Sequence, residues 1–97
     1  MNLTQRHSLS KEDAINRVKS LSEQLYQANK KDINSFNQQW KANKADVLIT
    51  IMRMQFKGQV EVTSHDVCVK ITLPFAALLF KKKIEIEIIK HLKNSLS

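Results

Sequence analysis

The sequence predicts a single α+β domain over residues 1–97: an antiparallel sheet of four to five strands with an N-terminal and a C-terminal helix packed on one face. Three observations carry that prediction. A long amphipathic segment follows Ser10, β-branched runs joined by short polar connections fill the middle, and an apolar residue recurs every fourth position from Phe80 to Leu96. At 42% hydrophobic residues the chain has material for a core, which argues against wholesale disorder. One Gly and one Pro leave little room for linkers or glycine-rich phosphate loops.

Leu3–His7 is a short first strand. Ser10 then N-caps a helix whose first turn carries Glu12 and Asp13, favourable against the helix dipole. Ala14, Val18, Leu21, Leu25 and Ala28 fall in a narrow arc at about 100° per residue, opposite Asn16, Ser20, Glu23 and Gln27. "NKKDINS" breaks the pattern, "FNQQW" is a strand, and "KANKAD" supplies turn residues.

"DVLITIMRMQF" is the third strand, followed by "KGQVEV" after the only glycine and by "DVCVKITL". In the last of these Val67, Val69, Ile71 and Leu73 alternate with Cys68, Lys70 and Thr72, and Pro74 ends the strand. Short connections make an antiparallel meander the natural topology. The third strand stands apart. Val47, Ile49 and Ile51 form one face, yet Leu48, Met52, Met54 and Phe56 make the other apolar too. Either the strand is central with both faces covered, or the second face, with Met52, Met54 and Phe56, is an apolar pocket or a homodimer face.

"IEIEII" alternates like a strand, but the series Phe80, Ile84, Ile88, Leu92, Leu96 outlasts it, so the last element reads as a helix. Extended back to Phe75, a helical wheel places Phe75, Leu79 and Ile86 nearly opposite that core series, among Lys82, Lys83, Lys90 and Lys93. An apolar strip framed by lysines suits a hydrophobic or anionic surface, with Lys81, Lys82 and Lys83 adding electrostatic attraction. The alternative is a bend near Phe80 that sends "PFAALLF" into the core.

Charge and composition exclude several classes. The formal charge is +7, but residues 1–36, 37–73 and 74–97 carry +2, +2 and +3, so only Lys81–Lys83 is a cluster. With no interleaved aromatics and glycines, nucleic-acid binding is a minor reading. No apolar run approaches the length needed to span a bilayer, and "MNLTQRHSLS" has no apolar signal-peptide region. A lone Cys68 fits a reducing, cytoplasmic location.

Catalytic chemistry is not indicated. His65 falls in a turn and Cys68 on a strand, with no third orienting group, and Glu85 and Glu87 diverge on a helix. No paired Cys or His spacing suggests a metal, and no cofactor is implied. Arg6 and His7, just ahead of the first helix, are candidates for contacting an anion; the plainer reading is helix capping with a solvated Arg6.

The order of these motifs has a likeness. "RHSLSKEDAINRVKSLSEQL", then "GQVEV" and "DVCVKITLP", then "KKKIEIEIIKHL" resemble the polyhydroxyalkanoic acid (PHA) system protein family across most of the chain. Arg6–His7–Ser8–Leu9 ahead of the helix with Ala14 is the most specific piece, with Gly58 before "VEV" in support. Here the stretch between helix and glycine is long and lysine-rich. The resemblance implies a small bacterial protein encoded with genes for making or using polyhydroxyalkanoate, of a family with some members at the granule surface. It brings no catalytic motif. The function expected is therefore a non-enzymatic cytoplasmic interaction protein at PHA granules or another hydrophobic surface. A small hydrophobic-ligand module and a basic nucleic-acid-binding protein are the alternatives.

Overall fold

Strand β1 (Asn2–Arg6) leads into helix α1 (Lys11–Ala28), then come strands β2 (Ile33–Lys41), β3 (Lys44–Ile51), β4 (Met54–Val62) and β5 (Asp66–Thr72). A 3₁₀ segment (Phe75–Phe80) and helix α2 (Lys81–Leu96) complete the chain. The computed structural model describes all 97 residues. The fold is α+β, with five antiparallel strands in the order β1-β5-β4-β3-β2. The last four strands form the expected meander. β1 pairs outside β5, so α1 carries the chain from one sheet edge to the other.

Ser10 caps α1 as the sequence implies: its backbone is extended (φ −64, ψ 156) and its Oγ accepts the Asp13 N–H at 3.1 Å. The middle of the chain departs from expectation. The apolar stretch predicted as one third strand is two, broken by a two-residue turn at Met52–Arg53 with φ of 51 and 66. Positive φ at both central residues matches the right-handed twist of a tight hairpin, although Met and Arg are poor residues for it. The Arg53 N–H is held by Asn34 Oδ1 at 3.1 Å.

That reversal changes which residues share a face. Met54 lies opposite Ile51 and Phe56 opposite Ile49, so Met54 and Phe56 join the face of Val47, Ile49 and Ile51. The second apolar face of a single strand does not exist. Only Leu48 remains among polar neighbours. Gly58 likewise does not separate strands; it sits within β4, opposite Val47 and Ile71. A Cβ there would meet Lys70 O and Val47 Cβ at 3.8 Å, ordinary contact, so no steric demand explains the glycine.

The register sorts the sheet into two faces. Leu3, Val69, Val60, Ala45 and Trp40 lie in one row of the core face, with Val67 and Val62 in the next. Leu3, Val62, Val67 and Val69 form one buried cluster with Ala14 and Val18 of α1 and Leu92 and Leu96 of α2. The opposite, polar face carries Thr4, Cys68, Glu61 and Lys44 in one row and Asn2, Lys70, Gln59, Asp46 and Gln39 in another. An antiparallel sheet solvated on one side has this alternation.

Candidate functional site

The run after Pro74 is neither a straight extension of α2 nor a buried loop. It forms a 3₁₀ segment in which Pro74 (φ −65, ψ 154) accepts the Ala77 N–H at 2.9 Å, and the chain turns at Phe80 (φ −106, ψ 11) into α2. At three residues per turn, side chains three apart eclipse one another. Ala77 and Phe80, three apart, nonetheless differ sharply in exposure, because the backbone turns at Phe80. Only Ala77 is buried. Phe75 and Leu79 are each 90% exposed, Phe80 59%, Ile86 58% and Leu78 49%.

Phe80 is a correction to the core series read from the sequence. The series holds at its far end, where Leu92 and Leu96 are buried and Ile84 and Ile88 half-buried, but the change of helix type turns Phe80 outward. Leu78 and Phe80 thus belong to the exposed corner, and a straight helical wheel misses both.

Lys81, Lys82 and Lys83, all exposed, form the first turn of α2; that turn has no side-chain cap and holds no acidic residue. Three cations at the positive end of a helix dipole work against helix stability, each by about 0.3–1 kcal/mol in exposed positions. Their placement is therefore not explained by the helix itself. Ile86 has Lys82 and Lys83 one turn before it and Lys90 one turn after it on the helix surface. The corner thus combines projecting apolar side chains with a fixed block of positive charge.

The other sequence candidates lie apart from this corner. His7 is tied into the connection between β1 and α1: its N–H donates to the His65 carbonyl at 2.9 Å, and its Nδ1 accepts the Leu9 N–H at 3.1 Å. With Nδ1 an acceptor, the ring proton sits on Nε2 and is donated to the Thr63 carbonyl at 2.9 Å. Arg6 is exposed, with its Nε 3.8 Å from Asp66 Oδ1. Together with Ser8 and His65, Arg6 and His7 line a shallow depression.

Met52 projects from its turn, 76% exposed, while Met54 and Phe56 are half-buried on the core face. None of the three lines any of the three main depressions. The largest of these three depressions is on the polar face, where Lys41, Lys44 and Lys70 mix with Asp46 and Glu61. Cys68 borders it, half-buried, with Thr4 Oγ1 3.9 Å from its sulfur. Glu87 pairs with His91 at 3.8 Å. No group of three or more His, Cys, Asp or Glu side chains comes together as a metal site would require. No helix is long and apolar enough to cross a membrane.

No curated protein and no solved structure matches the chain significantly. A family model described as "Putative polyhydroxyalkanoic acid system protein (PHA_gran_rgn)" matches residues 1–96, which run from β1 to the last residue of α2. The exposed corner, the polar sheet face and the core between them all fall inside that match, and the chain belongs to this polyhydroxyalkanoic acid system protein family.

Proposed function

We propose that this chain is a non-enzymatic, cytoplasmic interaction protein that docks on polyhydroxyalkanoate granules, or on an equivalent hydrophobic surface, through the corner formed by the 3₁₀ segment and the start of α2. Phe75, Leu79 and Ile86 enter the surface, and Lys81, Lys82 and Lys83 meet negative charge at its boundary. The observation that carries the reading is the 90% exposure of both Phe75 and Leu79 in a chain with few buried residues. Burying one such side chain yields about 1.5–3 kcal/mol, and a lysine near an anionic boundary adds about 1 kcal/mol. The sum suits reversible attachment rather than insertion. Membership in the PHA system family supports the choice of surface.

Granule flotation tests it. The Phe75→Glu/Ile86→Glu variant should stay folded by circular dichroism and leave the floating fraction. Replacing Lys81, Lys82 and Lys83 by Gln should weaken attachment at low salt and remove most of its salt dependence. Unchanged flotation of the folded double-Glu variant sinks the proposal.

A further inference from the structure

The two edges of the sheet are unequal. β1 has five residues, and α2 packs close beside it. β2, the other edge, has nine, with Lys41 at its end as the only charged residue and no proline. Its one irregularity lies between Ile33 and Ser35, so Ser35–Lys41 pairs regularly with β3 on one side only. None of the backbone hydrogen bonds outside the ladders and helices involves these seven residues. Every second N–H and C=O along the run faces outward without a partner in the chain. Exposed edges of this length are normally blunted by charge, proline or a covering element.

The inner five residues of the run, Phe36–Trp40, are chemically palindromic. "SFNQQWK" centres on Gln38, flanked by the amides Asn37 and Gln39 and then by the aromatics Phe36 and Trp40. An interface around a two-fold axis pairs a patch with itself, so it favours a pattern of this kind. We infer that β2 pairs antiparallel with β2 of a second copy, about a two-fold axis through Gln38, so that the occupant of the open edge is the same chain.

The register follows from geometry. Gln38 is the midpoint of Ser35–Lys41, so an axis there uses the whole regular edge, and any other centre shortens the pairing. Phe36 then faces Trp40 of the second copy, Asn37 faces Gln39, and Lys41 faces Ser35. Aromatic meets aromatic, amide meets amide, and no like charges lie opposite one another despite the net charge of +7. Outward backbone groups and side-chain direction both alternate with a period of two, so the paired strands must present matching faces. The five-stranded sheets join into one of ten strands, with both core faces on the same side. Phe36 and Trp40 are each half-buried and so keep surface for this contact.

Sedimentation equilibrium of the full chain tests the inference and should return twice the monomer mass in the micromolar range. Asn37→Lys/Gln39→Lys sets lysines opposite lysines on the exposed polar face and should raise the dimer dissociation constant at least about tenfold, with an unchanged circular dichroism spectrum. In a Cys68→Ser background, Gln38→Cys should cross-link to itself on mild oxidation, and Asn34→Cys should not. A wild-type chain that stays monomeric overturns the inference, as would occur if the edge instead receives a strand of another protein. So does a dimer unmoved by the paired lysines, or cross-linking at position 34 in preference to 38. The Phe75→Glu/Ile86→Glu variant should remain dimeric, so failure at this edge and failure of granule docking are read separately.

Discussion

Val62 and Val67, near one end of the sheet, are fully buried, whereas Ile49, Ile51, Met54 and Phe56, toward the other, are only half-buried although equally apolar. The difference is one of coverage. At the first end α1 and α2 converge, with Arg17 Nη1 donating to the Ser95 carbonyl at 3.0 Å, and their small and branched side chains close over β1, β5 and β4. Toward β2 the cover is thinner: Tyr26 of α1 stacks on Phe36 with centroids 5.0 Å apart, and Lys19 lies 5.3 Å from the Trp40 ring. A chain of this size has too little helix to cover five strands evenly. It concentrates its packing at one end and leaves apolar surface at the hairpin end and on the corner around Phe75.

The comparison can be broken first where packing is densest. Leu92→Ala removes a 4%-exposed side chain from the shared cluster and should cost about 2–5 kcal/mol by urea denaturation. His7→Ala at the same end should cost about 1–3 kcal/mol, because it takes the partner from the Thr63 carbonyl and from the Leu9 N–H.

The thin end should respond in the opposite direction. Met52→Asn with Arg53→Gly gives the β3–β4 turn residues that tolerate positive φ and should raise stability by about 1 kcal/mol, visible as a higher urea midpoint. The smallest effect is expected at the exposed corner. Phe75→Glu/Leu79→Glu should leave the midpoint within about 0.5 kcal/mol of wild type, since neither side chain packs inside the domain. A large loss there would mean that the corner supports the fold, and the contrast between packed and projecting apolar residues would collapse.

Much of this arrangement is legible in the residues. Ser10 with Glu12 and Asp13 marks the start of α1, and the alternation through Val67, Val69 and Ile71 gives both the existence and the inward face of β5. The apolar corner is visible too, because Phe75, Leu79 and Ile86 are surplus to a single helix face. What was not legible is the turn at Met52–Arg53. Neither residue belongs to turn chemistry, and the β-branched run shows no interruption, so a strand-length argument joins two strands into one. The 3₁₀ geometry of "FAALLF" was hidden for a related reason: six apolar residues fit several helical spacings.

The sequence by itself determined the elements with strong periodicity, their antiparallel connection, and the surplus of apolar and basic residues near the C-terminus, because these depend on local spacing and composition. Tertiary structure alone decided that Met54 and Phe56 share a face with Ile49 and Ile51, that Phe80 turns outward, and that β2 rather than β5 is a free edge. Each of those outcomes hangs on where the chain reverses, where one helix type gives way to another, or which strands pair, and none of these leaves a periodic trace in the residues it rearranges.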